Sequence, residues 1–361
     1  MKHVLVLGCT GSIGTSTLDI LRNMPGDFKA VGLTAHSSKD KLAALAAEFA
    51  CPGVLTSETG MNGLTQLIEQ TRPDIVVNGI AGAAGLEPSR IVLSHGIDLA
   101  LANKETIVMA ASLIQSLAKE NNCRILPVDS EHSAIFNLIE RCGKDTVESI
   151  IITASGGPFR NLPKEKLAAV TVQNALKHPT WNMGKKITID SATLANKGLE
   201  VIEACRLFHV PTNRIQVVVH PQSLIHSLVR TKDGVMYAQI SEPDMKHPIV
   251  AALSWPAVLQ TYMKPFDLFD HDMTFYKPRT DDFPLLQYAF DAAASGGAYT
   301  IAYNAADEIA AWAFLSGKIG FTDIASVVRS VLEKDWTAEP ASFEEVFAYD
   351  ERARNLAKEY V

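Results

Sequence analysis

The sequence predicts an α/β protein with an N-terminal parallel sheet, a central α+β region and a helical C-terminal region. The first part, roughly 130 residues, alternates short β-rich runs with helical stretches, which is typical of a parallel sheet covered on both faces. Further strands follow, with a hairpin-like turn at Lys232-Asp233-Gly234. From Leu285 onward the pattern is helical and alanine-rich, with no strand signal.

Hydrophobic periodicity assigns the individual elements. The strands predicted in the first region are Val4–Leu7, Ala30–Thr34, Ile75–Asn78, Asp98–Leu101 and Arg124–Val128, and the helices are Ser12–Arg22, Lys39–Phe49 and Thr106–Lys119. The strands predicted in the second region are Ser149–Ala154, Ile187–Ile189, Gln216–Val219 and Val235–Ile240. The segment 255–284 is rich in Pro, Asp and aromatic residues, so it is predicted to be a linker. The predicted boundaries are 1–129, 130–254, 255–284 and 285–361.

Composition excludes several classes of protein. With a net charge of −7 over 361 residues, the chain has no basic stripe for general nucleic-acid binding. Its five cysteines are scattered and never form a CxxC pair, which favours reduced thiols in a cytoplasmic protein. The opening MKHVLVLG has too few apolar residues for a signal peptide, and no apolar run is long enough to span a membrane. We therefore expect neither a nucleic acid nor a membrane as a partner.

A glycine-rich turn joins the first strand to the first helix. Gly8, Gly11 and Gly14 give the spacing GxxGxxG, a variant of the fingerprint with which Rossmann-type domains bind dinucleotides. A packing turn is the alternative. After the second strand, residues 34–39 contain no carboxylate, and a carboxylate there would repel a 2′-phosphate. This absence favours NADP over NAD.

Two later loops fall at the carboxyl ends of strands, where such sheets bind ligands. One is the glycine-rich run 78–85, and the other is Asn103-Lys104-Glu105. Lys104 and Glu105 are equally compatible with a solvated helix start.

Carboxylates suitable for a hard cation follow the strand Arg124–Val128. Asp129 and Glu131 are two residues apart and can point the same way at a strand end, and Glu200 offers a third carboxylate. Ligation by oxygen alone suits Mg²⁺ or Mn²⁺. The alternative is that Asp129 or Ser130 caps the helix Glu131–Cys142. His132 and Glu203 are further candidate ligands.

The segment 178–204 combines hydroxyls, an amide and an ammonium around a predicted helix start. Such groups suit a phosphate, because free N–H groups and the helix dipole favour an anion there. These residues are Ser191, Thr193, Asn196 and Lys197. Glu200, one turn deeper, would repel the anion unless a cation stood between them. The segment therefore indicates a phosphorylated substrate together with a metal ion.

Three further motifs are candidates near this site. Ser155-Gly156-Gly157-Pro158 can bring N–H groups and a hydroxyl to an anion, although an ordinary turn is equally possible. Residues 178–184, with an imidazole, an indole and a flexible glycine, are predicted to form a closing loop. His220–His226 suggests support of the site or core histidines, and Asn304–Glu308 is predicted to begin a helix, so that its acids complement the helix dipole.

Taken in order, the motifs GCTGSIG, NKE, DSEHSA, ASGGPF, HPTWNMG, DSATLANKGLE and HPQS resemble the 1-deoxy-D-xylulose-5-phosphate reductoisomerase family over nearly the whole chain. This resemblance implies an NADPH-dependent enzyme that needs Mn²⁺ or Mg²⁺. The implied reaction converts that ketose phosphate to 2-C-methyl-D-erythritol 4-phosphate in non-mevalonate isoprenoid synthesis. It also implies a homodimer in which residues 1–129 bind NADPH, 130–254 provide catalysis and dimerisation, 255–284 form a linker and 285–361 form a helical domain.

The resemblance also implies roles for individual residues. The implied metal ligands are Asp129, Glu131 and Glu200. The implied phosphate contacts are Ser155, Ser191, Asn196 and Lys197, while Lys104, Ser130 and His178 would approach the substrate backbone. Trp181 and Met183 would belong to the closing loop. The implied cofactor residues are Thr10, Gly11, Ser12, Ile13, Asn103, Glu105 and Gly184.

This chain departs from the family pattern at three places. Cys9 replaces a more usual serine, and Asp307 stands where the family usually has Asn. The loop His36–Ser38 lacks the Asn and the Lys or Arg that family members often show near the 2′-phosphate. His36, Lys39 and Lys41 are candidates to compensate.

Two other functions are compatible with the glycine turn. A metal-free NADP dehydrogenase of the aspartate-semialdehyde type would need a catalytic thiol with a base nearby. A dinucleotide-sensing regulator would bind NADPH without turnover, and it has no use for the carboxylates and the phosphate residues together.

Overall fold

The computed structural model describes residues 1–178, 180–181 and 183–361. Pro179 and Asn182, in the predicted closing loop, lie outside the described residues. The chain divides into two compact units. The first comprises residues 1–106, 112–133 and 244–265, and the second comprises residues 107–111, 134–243 and 266–361.

The first unit contains a six-stranded parallel sheet. Its strands are β1 (Lys2–Leu7), β2 (Phe28–Ala35), β3 (Gly53–Leu55), β4 (Ile75–Asn78), β5 (Asp98–Leu101) and β6 (Ile125–Pro127), in the spatial order β3-β2-β1-β4-β5-β6. The central strand β1 carries the run Val4–Leu7, which is fully buried because helices cover both faces of the sheet. The predicted parallel sheet is confirmed.

Six helices follow the strands of this part of the chain. They are α1 (Ser12–Asn23), α2 (Lys39–Glu48), α3 (Thr56–Thr71), α4 (Leu86–Ser94), α5 (Lys104–Glu120) and α6 (Ser130–Cys142). Strand β3 and helices α3 and α4 were not predicted from the sequence. Helix α5 is kinked at Ala110, whose φ of −140° and ψ of 29° are not helical.

The second unit contains a mixed four-stranded sheet and short helices beside it. Its strands are β7 (Val147–Ala154), β8 (Ile215–Val219), β9 (Ile225–Thr231) and β10 (Met236–Ile240), in the order β10-β9-β7-β8. Between β7 and β8 lie α7 (Val172–Ala175), α8 (Lys185–Thr193) and α9 (Ala195–Phe208), and after β10 the helix α10 (Lys246–Ser254) belongs to the first unit. The predicted hairpin turn joins β9 and β10, which pair antiparallel.

At the last residue of β8, Val219, the segment after α10 pairs with the outer edge of the strand. Tyr276 forms a two-way backbone pairing with Val219, with both N–O distances 2.8 Å. Beside it, Gln222 accepts from the Thr274 hydroxyl at 3.2 Å and donates to the same oxygen at 2.9 Å. Outside this bridge, residues 255–284 contain no helix or strand.

The C-terminal part is helical, as predicted. Its helices are α11 (Leu285–Ser295), α12 (Tyr299–Leu315), α13 (Asp323–Leu332) and α14 (Phe343–Lys358). Helix α12 is buried over most of its length, because α11, α13 and α14 pack around it. No helix among the described residues has the length and apolarity to cross a membrane.

Three local predictions are wrong. Residues Ile187–Ile189, expected to be a strand, lie inside helix α8, where Lys186 pairs with Asp190 one turn later at 2.7 Å. Asn304–Glu308 lies within α12 and does not begin it, so its acids do not cap that helix. Ser191 and Thr193 belong to the last turn of α8 and not to the start of α9, because Leu194 adopts a left-handed conformation between the two helices.

Candidate functional site

The glycine turn after β1 is built for close backbone packing. A Cβ on Gly14 would lie 2.3 Å from the Gly8 carbonyl oxygen and 2.5 Å from Cys9 Cα, so only glycine fits. Gly8 itself has φ +72°, a left-handed conformation that favours glycine. Helix α1 follows with Gly11 at its N-cap and no acidic residue in its first turn. This helix start suits the pyrophosphate of a dinucleotide.

The candidate cofactor residues of this turn are accessible. Gly11 and Ser12 are exposed, and Thr10 and Ile13 are partly exposed. At the end of β2, His36 contacts the Thr56 hydroxyl at 3.3 Å, and Lys39 pairs with Glu58 at 3.2 Å.

Asn103 and Glu105 shape the glycine-rich loop that follows β4. The Asn103 side chain caps α5 by accepting from Thr106 N at 2.9 Å, and it donates to the carbonyls of Ile80 and Gly82 at 2.8 Å each. Glu105 accepts from Gly82 N at 3.1 Å. Both residues therefore support a loop at the carboxyl end of the sheet, whichever ligand it meets.

The end of β6 brings two carboxylates and a cation together. Carboxylate oxygens of Asp129 and Glu131 approach within 4.8 Å of each other. Lys104, at the start of α5, forms a nearly buried ion pair with Asp129, and His132 Nδ1 lies 3.5 Å from Asp129 Oδ1. The Ser130 hydroxyl donates to Glu131. Two oxygens this close to each other suit a small hard cation.

Asp129 also takes the capping role that was its alternative interpretation. Its Oδ1 accepts from Glu131 N at 3.3 Å, at the start of α6. Capping and metal binding are compatible here, because a carboxylate has several lone pairs and Oδ2 faces Lys104.

In the second unit, one imidazole bridges two serine hydroxyls. His178 Nε2 lies 3.1 Å from both Ser155 Oγ and Ser191 Oγ. Its Nδ1 accepts from the backbone N–H of Thr180 at 3.1 Å and of Trp181 at 2.9 Å. A nitrogen that accepts two N–H groups carries no proton, so the proton of the neutral ring is on Nε2 and points to the serines.

The His178 imidazole is also held in its neutral form. Burial, which has the larger effect, and the nearby Arg160 guanidinium together lower its pKa from 6.5 to about 4. Arg160 was not singled out from the sequence. The signal that could have identified Arg160 as a residue near the site is its position directly after the ASGGPF motif.

The loop after β7 brings Ser155 close to the end of α8. Gly156 and Gly157 have φ values of +81° and +67°, and a Cβ on Gly157 would lie 2.6 Å from the Ser191 carbonyl oxygen. Gly157 N donates to Ser155 Oγ at 3.3 Å. The two glycines therefore allow a contact that larger residues would prevent.

Helix α9 carries three of the predicted residues on one face of its first turns. Glu200 is almost fully buried and accepts from Asn196 Nδ2 at 2.6 Å through Oε1. Through Oε2 it forms a buried ion pair with Lys197. The buried Asn196 Oδ1 has no hydrogen-bond partner among the described residues. Glu203, the alternative ligand, is also buried on this helix.

The described residues of the predicted closing loop belong to the second unit. The Trp181 indole packs edge-on against the His226 ring at 6.3 Å between centroids, and Met183 is partly exposed. Gly184 is the exposed N-cap of α8. His220 has a structural role: it is fully buried, with Nδ1 3.0 Å from the Thr274 carbonyl and Nε2 accepting from Leu224 N.

Family models match most of the chain. The model described as 1-deoxy-D-xylulose 5-phosphate reductoisomerase matches residues 4–59 and 54–111. The model described as the C-terminal domain of that enzyme matches residues 125–208, and one described as the DXP reductoisomerase C-terminal domain matches residues 240–356.

Curated relatives and solved structures agree with these models. The 1-deoxy-D-xylulose 5-phosphate reductoisomerases of Treponema denticola and Treponema pallidum are 52% and 50% identical to this chain. Both alignments cover 99% of this chain. The alignments cover 96% of the Treponema denticola protein and 97% of the Treponema pallidum protein. A crystal structure of DOX-P reductoisomerase in complex with NADPH, fosmidomycin and magnesium superposes with a TM-score of 0.92 at 37% identity, over 100% of this chain and 98% of that one. The reductoisomerase from Zymomonas mobilis in complex with NADPH gives 0.88 at 40% identity, over 99% and 98%. The chain belongs to the 1-deoxy-D-xylulose 5-phosphate reductoisomerase family.

Proposed function

We propose that this chain converts 1-deoxy-D-xylulose 5-phosphate to 2-C-methyl-D-erythritol 4-phosphate, with NADPH as reductant and Mg²⁺ or Mn²⁺ as metal, in non-mevalonate isoprenoid synthesis. The observation that carries the proposal is the carboxylate pair Asp129 and Glu131 beside Lys104, in a sheet whose first strand ends in a dinucleotide-type glycine turn. Family membership, at 52% identity to a named reductoisomerase, specifies the substrate.

The proposed metal ligands are Asp129, Glu131 and Glu200. The proximity of the first two carboxylates and the burial of the third, in an ion pair with Lys197, support this assignment. When bound, the metal would act as a Lewis acid on the substrate oxygens and lower the pKa of the hydroxyl whose deprotonation starts the rearrangement.

The proposed phosphate site uses Ser155, Ser191, Asn196 and Lys197. The hydroxyls of Ser155 and Ser191 converge on the His178 Nε2–H, so the loop after β7 closely approaches the end of α8. Asn196 and Lys197 lie in the first turn of α9, where the helix dipole favours an anion. Binding the phosphate far from the reacting carbons would align the substrate.

The remaining substrate residues are proposed to contact the carbon chain. Lys104 would donate hydrogen bonds to substrate oxygens from its position beside Asp129, and Ser130 would do so from the start of α6. His178, neutral with its proton on Nε2, would donate a hydrogen bond and exclude water together with Trp181. We count Lys104, Asp129, Glu131, Glu200 and His178 as the catalytic set.

NADPH is proposed to bind along the carboxyl edge of the first sheet. Thr10, Gly11, Ser12 and Ile13 would line the pyrophosphate, joined by Asn103, Glu105 and Gly184. The exposed His36, Lys39 and Lys41 would meet the 2′-phosphate, which NADH lacks. The division into residues 1–129 for NADPH, 130–254 for catalysis and dimerisation, 255–284 as linker and 285–361 as helical domain is part of the same proposal.

A homodimer in the cytoplasm is proposed as the working form. Edge strand β10 and the turn before it expose apolar side chains that a second copy would cover: Val235, Met236, Tyr237 and Ile240 are 40–54% exposed. All five cysteines are free thiols, as in a reducing compartment.

The experiment follows NADPH oxidation with 1-deoxy-D-xylulose 5-phosphate, with and without Mg²⁺ or Mn²⁺, and repeats it with NADH. Metal-dependent oxidation with a preference for NADPH is the expected result. Protein that binds NADPH but shows no turnover with either metal would favour a regulator and contradict the proposal.

A thiol-dependent dehydrogenase is disfavoured by the cysteines themselves. Burial raises the pKa of Cys9 and of Cys205 to about 11, and it also raises the pKa of Cys51 and Cys123. Such thiols are poor nucleophiles because little thiolate forms at neutral pH.

A further inference from the structure

Lys186, in the first turn of α8, carries an ammonium that the proposed reaction does not use. Its Nζ lies 2.7 Å from Asp190 Oδ2 on the same helix and 2.6 Å from Asp307 Oδ2 on α12. The two carboxylates are almost inaccessible, with side-chain exposures of 3% and 0%. The ion pair with Asp307 therefore joins two helices in the interior of the second unit.

Helix stability alone does not explain this arrangement. A cation in the first turn opposes the helix dipole, and a lysine placed four residues before an acid is the weaker order of the pair. The fully buried Asp307 Oδ1 has no hydrogen-bond partner among the described residues. Buried ion pairs contribute little more to stability than apolar groups of the same size, but they can fix geometry.

The geometry that this ion pair fixes is that of the proposed phosphate site. Helix α8 begins directly after the predicted closing loop and ends with the turn that holds Ser191. Ser191 meets the His178 imidazole at 3.1 Å, and its carbonyl packs against Gly157. Lys186 and Ser191 are separated by about 7.5 Å along the helix axis. A rotation or slide of α8 at Lys186 would therefore move Ser191 away from His178.

We propose that Lys186 and Asp307 are a positioning pair for the substrate phosphate: they hold α8 against α12 and thereby set Ser191 opposite His178. This inference rests on the proposed function and assigns to it residues that touch neither substrate nor cofactor. It requires that breaking the pair weakens recognition of the phosphate and leaves NADPH binding intact.

The test compares Asp307→Leu with Asp307→Asn. The leucine removes the acceptor that α12 offers to Lys186 and leaves only same-helix Asp190 of the two carboxylates. We therefore expect the KM for 1-deoxy-D-xylulose 5-phosphate and the inhibition constant of inorganic phosphate to rise together by about 10-fold or more, with kcat changed less. The asparagine keeps an oxygen that accepts from Lys186, so it should restore both constants to within about 3-fold of wild type. The NADPH Kd should not change in either variant.

A matched control lies one residue further along α12. Glu308 accepts from Arg354 of α14 at 2.7 Å, so Glu308→Leu breaks an ion pair that joins the same helix to α14 and not to α8. We expect this variant to lower Tm with no change in KM. An equal rise in KM in Glu308→Leu would show that any damage to α12 has the effect, and it would overturn the proposal.

If Asp307→Leu does not fold, the triple variant Lys186→Met/Asp190→Asn/Asp307→Leu replaces the charged group with neutral side chains. Its KM should still be raised although its Tm is kept. A wild-type KM in any folded variant that lacks the pair refutes the positioning role. Wild-type protein without metal-dependent turnover refutes instead the proposed function, so the two failures are distinguishable.

Discussion

Folding stability should depend on pH through His178. Burial first, and Arg160 second, lower the imidazole pKa from 6.5 to about 4 in the folded protein. Since the unfolded chain binds the proton more tightly, the stabilisation is fully present above pH 6.5 and is lost as the pH falls towards 4. The full shift corresponds to about 3 kcal/mol. The ring is only half-buried, so solvent screening reduces this to about 1–2 kcal/mol.

The assay is urea unfolding of wild type and His178→Gln at pH 7 and pH 5. Over this interval we expect the wild type to lose about 1 kcal/mol more unfolding free energy than the variant, because glutamine does not titrate. His36→Gln removes an exposed imidazole and is the control, and it should follow the wild-type profile.

Parallel pH profiles for wild type and His178→Gln would refute the reasoning. A nitrogen-detected NMR spectrum provides a direct check, since the neutral ring should carry its proton on Nε2. A proton on Nδ1 would contradict the two backbone N–H groups, of Thr180 and Trp181, that donate to that atom.

Three other outcomes are expected. Gly14→Ala should weaken NADPH binding by about 10-fold or more, because its Cβ would lie 2.3 Å from the Gly8 carbonyl oxygen. Gly26→Ala is the control and should bind NADPH normally, because the space around Gly26 is open. Equal affinities of the two variants, measured by NADPH fluorescence, would contradict the close packing at Gly14. Glu200→Gln should reduce kcat by about two to three orders of magnitude while NADPH still binds, and near-normal turnover would remove Glu200 from the metal ligands. Removing divalent metal with EDTA should abolish NADPH oxidation, and either Mg²⁺ or Mn²⁺ should restore it; activity that survives chelation would exclude a metal-dependent reaction.

The sequence predicted the fold best where an apolar run and the turn signals on either side of it indicate the same element. Strands β4 and β5 were predicted to the residue, because each is a short apolar run with turn signals on either side. The carboxylates Asp129 and Glu131 could be proposed as metal ligands for the same reason, since they directly follow a recognisable strand.

The predictions of helices and strands were wrong where tertiary packing, and not the local sequence pattern, determines the secondary structure. Residues 187–189 alternate apolar and polar side chains like a strand, yet they form a helix because Ile189 and Asp190 pack into the interior of the second unit. Strand β9 was missed because His226 and Ser227 interrupt its apolar run, although both are buried. The partnership of Lys186 with Asp307 joins residues 121 positions apart, and no local pattern reports such a contact.

The short bridge between Tyr276 and Val219 occupies backbone groups at the edge of β8 that another chain could otherwise pair with. An uncovered β8 would present unpaired backbone N–H and C=O groups to any extended chain, and such edges promote aggregation. The bridge, reinforced by the hydrogen bonds between Gln222 and Thr274, pairs the backbone groups of Val219 at the end of that edge. Damage to this segment should therefore lower the yield of folded protein at high concentration before it alters turnover.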